Sequence, residues 1–225
     1  LPMNVKVRAT REEDKLERRN AILDAAEELL RDHPDSLASM DELAAAAGVA
    51  KGTLYLYFPS KEEVLLALHE RNMAQFFAVL GENLERGGVT REKLFELTRE
   101  HLLEQPAYLS LAALVIGMME RTIPEEAAMR FRTALGERLL AAGAGLEQAL
   151  ALPCGEGARL LNYSYALIIG LWQLKGCAAL ARCGDRLDTS IQSAFVRDFP
   201  AEALHALNDL WAGALAVHGT AGRPS

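Results

Sequence analysis

The sequence predicts an all-α fold, with a three-helix unit at the N-terminus, a larger helical domain after it, and about nine helices in total. Apolar residues recur at helical spacing along most of the chain. Strand-like alternation is nowhere sustained, and Gly and Pro fall where helices would end. The order S/T-x-x-E, which caps helix N-termini, begins at Thr10, Ser39 and Ser60.

The first two helices have marked ends. A stripe of apolar residues predicts a helix from about 11 to 32, closed by His33-Pro34. The second helix is expected at 40–47, where Gly48 suits the left-handed turn that ends many helices.

The next helices follow from the same signals. A short helix at 51–58 is closed by Pro59, and Ser60 opens a long fourth helix toward residue 86, before Gly87 and Gly88. Further helices are expected at 91–103, 107–119, 125–150, 156–182 and 201–217, with 184–199 partly irregular. We therefore predict two domains, 1–60 and 61–225.

The composition is that of an ordinary globular protein. Of the 225 residues, 50% are hydrophobic and 24% are charged. The longest apolar runs are shorter than the roughly 18 residues that span a bilayer, and the charged N-terminus does not resemble a signal peptide. Three cysteines indicate a reducing compartment; Cys177 and Cys183 form either a redox pair or, as we expect, idle thiols. A cytoplasmic protein without membrane contact is predicted.

The net charge of −7 argues against nucleic-acid binding on average, because Lys and Arg neutralise phosphates. A basic segment is nevertheless present near the N-terminus, at Lys6, Arg8, Arg11, Lys15, Arg18 and Arg19. Acidic residues are interleaved with it, so contact with DNA and a solvated helix start are equally compatible with this segment.

The helices at 40–47 and 51–58, joined by a tight turn, have the helix-turn-helix arrangement that places its second helix in the DNA major groove. Leu54 and Phe58, one turn apart, are expected to face the core. This leaves an outward set of hydroxyl and ammonium groups suited to phosphates and base edges, at Lys51, Thr53, Tyr55 and Tyr57.

Three neighbouring residues fit the same interface. Gly52 lets another molecule approach the backbone, and Lys61 lies in a first helical turn, where the helix dipole favours a phosphate. Ser39 is expected chiefly as a helix cap, and a phosphate contact is compatible with that role.

The stretch that begins at Ser39, SMDELAAAAGVAKGTLYLYFPSKEEV, resembles the DNA-binding signature of the TetR family. The close match covers roughly residues 20 to 66. The resemblance implies an all-helical homodimer that binds double-stranded operator DNA through the residues above, with Tyr57 and Lys61 on phosphates and Tyr55 nearest the bases. Ala50 departs from the family's usual Ser or Thr, which removes a helix cap worth about 1 kcal/mol and a possible phosphate contact. The alternative is that the tyrosines pack against the second domain.

Dimerisation is predicted through the last two long helices, which the resemblance implies form a four-helix bundle with their copies. The candidate residues form apolar stripes at Tyr163, Leu167, Gly170, Leu171 and Leu174, and at Leu204, Leu207, Trp211 and Leu215. Packing within one subunit is the alternative for part of each stripe.

The resemblance also implies a small-molecule effector of unknown identity, which we expect to be mostly hydrophobic because the enclosing segments carry little charge. Large or adaptable side chains at Tyr108, Met118, Met119, Phe131 and Trp172 are the candidate lining, with ordinary core packing as the alternative. The expected function is a repressor that the effector releases from a palindromic operator by tilting the fourth helix.

Two other classes of protein are alternatives. A helical metal oxidase needs two Glu-x-x-His pairs, whereas Glu202 and His205 supply one. No phosphate-binding loop or nucleophile motif is present, so neither an enzyme nor a cofactor or metal is predicted. A helical adaptor that has lost DNA binding is the second alternative.

Overall fold

The computed structural model describes residues 3–33, 38–119, 121–175, 188–192 and 198–219. Within these ranges the elements are helices, without a β-strand, which confirms the predicted all-α class. Nine described helices have seven or more residues: α1 Met3–Asp32, α2 Met40–Ala46, α3 Lys51–Tyr57, α4 Lys61–Arg86, α5 Arg91–Thr98, α6 Pro106–Met119, α7 Glu125–Leu150, α8 Glu156–Lys175 and α10 Phe199–Gly219. The single turn α9, Thr189–Gln192, lies between the last two.

Some sequence predictions fall outside this description. Cys177 and Cys183 lie outside the described residues, as do the side chains of Lys6, Arg8 and Arg11.

The helix starts at Ser39 and Ser60 follow the predicted capping pattern. The Ser39 hydroxyl accepts the backbone N–H of Glu42 at 3.3 Å, and the Glu42 carboxylate accepts the Ser39 N–H at 2.7 Å. The Ser60 hydroxyl accepts the N–H of Glu63 at 3.2 Å. The prediction that Thr10 begins a helix is wrong, because α1 already starts at Met3. Four of the seven residues before it, Met3, Lys6, Arg8 and Ala9, are good helix formers, which favours a helix that continues through Thr10.

The predicted helix at 91–103 is divided. After α5, residues Arg99–Leu103 form a π-helical turn, which ends with the Glu104 N–H donating to the Arg99 carbonyl at 2.9 Å. Next comes α6, which runs at 79° to this segment. In the described part of the chain no helix taken singly has the length and apolar character to cross a membrane, although this bent pair meets that criterion jointly.

The long helix α4 connects the N-terminal helices to the larger domain. It packs against α1, α6 and α7. Its buried side chains, which include Leu68 and Leu80 at 0% exposure, belong to one continuous core. A displacement of α4 therefore affects both parts of the molecule.

The helices α7 and α8 cross in close contact at two glycines. A Cβ at Gly143 or at Gly157 would overlap the backbone of the other helix. Helix α10 also packs against α8.

Candidate nucleic-acid interface and effector cavity

The turn between α2 and α3 has the predicted helix-turn-helix form. Gly48 adopts φ 64°, and the Val49 N–H donates to the Ala44 carbonyl at 3.0 Å. Leu54 and Phe58 anchor α3 from behind, with exposures of 0% and 4%. They hold α3 on the surface of the three-helix unit, as the sequence predicts.

The outward face of α3 is formed by Lys51, Gly52, Tyr55 and Leu56. Tyr55 is 44% exposed, so the alternative in which its ring is sealed against the second domain is wrong. Leu56, 84% exposed, was not among the predicted residues, although its spacing from Gly52 and Tyr55 would have revealed it.

Thr53 and Tyr57 are less outward than predicted. Both are partly buried, and Tyr57 packs against the core. The physical reason is helical rotation, because residues 53 and 57 share a face that is turned away from residues 52 and 56.

Lys51 is held by an acidic partner. Its Nζ lies 2.7 Å from the Asp41 Oδ1, so α2 and α3 are joined by an exposed ion pair. The hydrogen bond and charge of Asp41 raise the pKa of Lys51 above its usual value. A phosphate approaching Lys51 must therefore compete with the Asp41 carboxylate.

Two features at the start of α3 bear on the approach of another molecule. A Cβ at Gly52 would meet no heavy atom within 4 Å, so nothing within the described part of the subunit requires glycine there. Ala50 occupies the N-cap without a side-chain hydrogen bond. The first backbone N–H groups of α3 thus lack a side-chain cap from this residue.

Ser39 and Lys61 lie at the starts of α2 and α4. The Ser39 backbone N–H and hydroxyl both donate to Glu42, which lowers the pKa of that carboxyl. Lys61 is partly buried in the first turn of α4. The capping role of Ser39 is therefore confirmed, while phosphate contacts by Ser39 and Lys61 stay predictions.

An apolar cavity opens in the larger domain between α4, α5, α6, α7, α8 and α10. Its volume is about 590 Å³ with the mouth included. Eleven of the seventeen lining side chains are purely hydrocarbon or thioether: Met73, Phe76, Phe77, Leu94, Phe95, Leu102, Leu135, Leu139, Leu161, Ile168 and Leu207.

The polar groups in this wall are mostly bonded to the protein itself. The Trp211 indole N–H donates to the Ser164 hydroxyl at 2.9 Å, and that hydroxyl donates to the Leu160 carbonyl at 2.7 Å. The Thr98 hydroxyl donates to the Leu94 carbonyl at 2.8 Å. Such a wall offers contact area with few hydrogen bonds to spare, which favours an apolar occupant.

Only Tyr108 of the five predicted lining residues belongs to this cavity. Phe131 is buried with its ring 5.7 Å from that of His69, and the Trp172 ring lies 5.1 Å from that of Phe199. Met118 and Met119 also lie elsewhere in the core. These four side chains do not line this cavity, because size and apolarity are shared by core and cavity residues, whereas the lining is set by how six helices meet.

A buried histidine connects α4 to α8 beside this cavity. The His69 Nε2 lies 3.0 Å from the Tyr165 hydroxyl oxygen, and Tyr165 lines the cavity. His69 is 1% exposed, and its Nδ1 has no hydrogen-bond partner. Burial lowers the pKa of His69 to about 4, so its ring is neutral near neutral pH.

The candidate dimer stripes divide between surface and interior. On α8, Tyr163 and Leu174 are 46% and 60% exposed, and Leu167, Gly170 and Leu171 are partly buried. On α10, Leu204 and Leu215 are partly buried.

Leu207 and Trp211 are each 1% exposed and line the apolar cavity of their own subunit. Their assignment to a dimer interface is wrong. They are one turn apart on the side of α10 that faces α8 and α5. The helical periodicity that suggested an interface therefore places them in the core of their own subunit.

The described residues hold no group of three or more His, Cys, Asp or Glu side chains placed to bind a metal ion. His205 lies 3.5 Å from Asp209 in an exposed pair.

Family models match most of the chain. Residues 22–68 match the model described as bacterial regulatory proteins of the tetR family, and residues 70–218 match the tetracyclin repressor-like C-terminal domain.

Individual relatives match over shorter segments. The fatty acid metabolism regulator protein of Bacillus subtilis is 35% identical over 80 residues, which are 36% of this chain and 41% of that protein. The transcriptional regulator EthR of Mycobacterium tuberculosis is 51% identical over 59 residues, 26% of this chain and 27% of that protein. The chain thus matches less than half the length of either relative.

One solved structure with a similar fold is that of the fatty acid degradation regulator FadR from Bacillus halodurans. The two superpose with a TM-score of 0.58 at 21% identity, over 86% of this chain and 94% of that one.

Proposed function

The chain belongs to the TetR family of bacterial regulatory proteins, and on that premise we propose that it is a homodimeric repressor released from a palindromic operator by an apolar small molecule. The family consists of DNA-binding regulators rather than enzymes, in agreement with the sequence prediction. A cytoplasmic location follows from a DNA target. We retain the division into a DNA-binding domain at 1–60 and an effector and dimer domain at 61–225.

The outward face of α3 is the observation that carries the DNA-binding proposal. An exposed tyrosine and an exposed leucine lie beside a glycine over which space is open. A solvated helix rarely exposes such groups together. On DNA, a base edge can accept a hydrogen bond from the Tyr55 hydroxyl, and a thymine methyl can make an apolar contact with Leu56. Gly52 then allows the α3 backbone to approach the groove closely.

Phosphate contacts fix the position of this face on the duplex. Lys51 on the outward face carries an ammonium group, and further ammonium and hydroxyl groups are carried by Thr53, Tyr57, Lys61 and Ser39. These groups carry no base information themselves, and they hold the register from which Tyr55 and Leu56 read bases.

A dimer is needed because one short helix reads only a half-site. Two copies of α3 related by a twofold axis meet successive major grooves, and the operator is then palindromic. We propose that the partner covers the stripe of Tyr163, Leu167, Gly170, Leu171 and Leu174 on α8. Leu204 and Leu215 on α10 border it.

The apolar cavity is the proposed effector site. Its largely hydrocarbon wall suits an aliphatic chain, and the B. subtilis relative is named for fatty acid metabolism. Fatty acids of medium chain length are therefore the first probes. Entry of such a chain would displace α4, which carries Met73, Phe76 and Phe77 of the wall. Because α4 continues to the three-helix unit, the displacement changes the separation of the two α3 helices.

Selection from a randomised duplex pool tests this proposal. We expect enrichment of a palindrome whose half-sites lie about one helical turn apart, and loss of binding when decanoate is added. A reporter gene placed behind the enriched site should be silenced by the protein. Enrichment of no sequence would refute DNA recognition, whereas a reporter that is switched on would refute repression alone.

Ligand binding has its own control, because effector and DNA affinities are reciprocally coupled. Decanoate should bind more weakly to the protein saturated with operator than to the protein alone. Equal affinities would contradict the coupling through α4, even if both ligands bind. Filling the cavity by Leu139→Trp should abolish the response to decanoate while leaving operator binding in place.

A further inference from the structure

The apolar cavity has a polar end, where two tyrosines of its wall meet a histidine. Tyr108 on α6 and Tyr165 on α8 both line the cavity. The His69 ring on α4 packs against both, with centroid distances of 5.6 Å to Tyr108 and 6.2 Å to Tyr165. Burial raises the pKa of Tyr108, and the charge of an ionised Tyr165 raises it further, so the two hydroxyls lie near each other.

The Tyr108 hydroxyl has no partner. Tyr108 is only 6% exposed, and its hydroxyl makes no hydrogen bond within the described part of the chain. Three buried polar atoms of the described residues are both unpaired and sealed from solvent, namely His69 Nδ1, Arg71 Nε and Asn72 Oδ1, and the Tyr108 hydroxyl is not one of them. It is therefore unpaired and still open to contact. An unpaired buried hydroxyl costs free energy that a bound acceptor would recover.

The Tyr165 hydroxyl also keeps hydrogen-bonding capacity. Its oxygen lies 3.0 Å from the His69 Nε2, and this is its hydrogen bond to the described residues. A phenol hydroxyl both donates and accepts, so one contact with an imidazole nitrogen uses only one of these roles. The other role is available to a molecule in the cavity.

The cavity wall offers no charge. None of its seventeen lining side chains, all of which belong to the described residues, is acidic or basic. The His69 ring beside the wall is neutral near neutral pH, because burial lowers its pKa to about 4. A carboxylate at this end would therefore lose its hydration without gaining a cation, which is costly, whereas a neutral carbonyl needs only a hydroxyl donor.

We propose that the polar end of the cavity binds the neutral carbonyl group of an aliphatic effector, such as a ketone or an ester, with the Tyr108 hydroxyl donating to the carbonyl oxygen. This inference rests on the proposed effector site and names the head group that the site selects. The alkyl chain lies along the hydrocarbon wall. A fatty acid anion enters with its carboxylate left toward Asn162, which is the one exposed residue of the lining.

Tyr165 completes the carbonyl site. A buried N–H without an acceptor is rarer than a buried acceptor without a donor, so the imidazole proton belongs on Nε2 rather than on the unpaired Nδ1. The Nε2–H then donates to the Tyr165 oxygen, and the Tyr165 O–H is left to donate to the same carbonyl as Tyr108. A bound carbonyl thus joins α6 to α8.

The first test compares 2-undecanone with decanoate, in which a carboxylate oxygen replaces the terminal methyl of the ketone. Calorimetry on the full chain without DNA measures both affinities. We expect 2-undecanone to bind about tenfold or more tighter, because its head group carries no charge to desolvate. Equal or tighter binding of decanoate would overturn the head-group proposal and leave the effector cavity standing. Binding of neither probe would overturn both.

Tyrosine variants separate the hydrogen bond from general apolarity. Tyr108→Phe should weaken binding of 2-undecanone about fivefold and leave that of decanoate unchanged. It should fold as well as the wild type, because the hydroxyl that it removes has no partner. The matched control Tyr163→Phe deletes a hydroxyl of α8 outside the cavity and should change neither affinity. An unchanged affinity of Tyr108→Phe for 2-undecanone, or an equal loss for both probes, would overturn the proposal.

The infrared carbonyl stretch of 2-undecanone reports the hydrogen bond directly, since donation to the oxygen lowers its frequency. The frequency should be lower on the wild type and on Tyr163→Phe than on Tyr108→Phe, and equal frequencies on all three would overturn the proposal. Leu139→Trp, which fills the cavity, should abolish binding of the ketone, and binding that survives would assign the ketone to another site. These outcomes do not depend on DNA recognition, because no measurement involves DNA.

Discussion

Lowering the pH should destabilise the protein through His69. The ring lies in an aromatic cage, with centroid distances of 5.6 Å to Tyr108, 5.7 Å to Phe131 and 6.2 Å to Tyr165. Burial lowers the pKa of His69 to about 4 in the folded state, from the usual value of about 6.5 in the unfolded state. The unfolded chain therefore binds a proton first. The stability that the neutral His69 ring contributes is fully present above about pH 6.5 and is lost as the pH falls toward about 4.

The size of the effect follows from the two pKa values. At about pH 5, about 1.5 pH units below the pKa of His69 in the unfolded chain, protonation of the unfolded chain lowers the free energy of unfolding by about 2 kcal/mol. The loss approaches about 3 kcal/mol near pH 4. For a protein of ordinary stability this is a large fraction of the free energy of unfolding.

Urea unfolding of the wild type and of His69→Gln at several pH values measures this loss. Glutamine keeps a polar group near Tyr165 but does not titrate. The difference in unfolding free energy between the two proteins should therefore change by about 2 kcal/mol between about pH 7 and pH 5. His205→Gln, which alters a histidine that is 77% exposed, should follow the wild type. Parallel curves for the wild type and His69→Gln would refute the reasoning.

Three further predictions concern the DNA face and the dimer. Gly52→Ala should leave the free energy of unfolding within about 1 kcal/mol of the wild type, since the site is open, yet weaken operator binding in a fluorescence titration; unchanged binding would remove Gly52 from the interface. Asp41→Asn should tighten operator binding at low salt, because it frees the Lys51 ammonium from its ion pair and removes a carboxylate that repels phosphate. Weaker binding would show instead that the ion pair orients Lys51 for DNA. Leu167→Arg should yield monomers in sedimentation velocity. The control Leu140→Arg, at a 67% exposed site on α7, should stay dimeric. A dimeric Leu167→Arg protein would exclude the α8 stripe from the dimer interface.

The DNA face was largely predictable from the sequence because its determinants are local. The capping box at Ser39, the turn at Gly48 and the one-turn spacing of Leu54 and Phe58 fix the start, turn and orientation of the helix-turn-helix. Thr10 shows the limit of such signals, since the same motif here lies inside a helix that begins at Met3.

The apolar cavity was not predictable in this way. Its wall brings together residues from six helices, and large apolar side chains such as Phe131 and Trp172 fill the core equally well. The periodicity that makes Leu207 and Trp211 look like interface residues is the same that buries them within the subunit.

The affinity of point variants for the enriched operator is the most direct test of the account. Tyr55→Ala and Lys51→Ala should each weaken binding, and Lys51→Ala should also reduce its dependence on salt. The matched control is Lys93→Ala, which removes another exposed lysine held in an ion pair, at 2.8 Å from Glu96, but on α5. Wild-type affinity for Lys93→Ala with losses for both α3 variants is the expected result. Unchanged affinity for both α3 variants would contradict the claim that the outward face of α3 binds DNA.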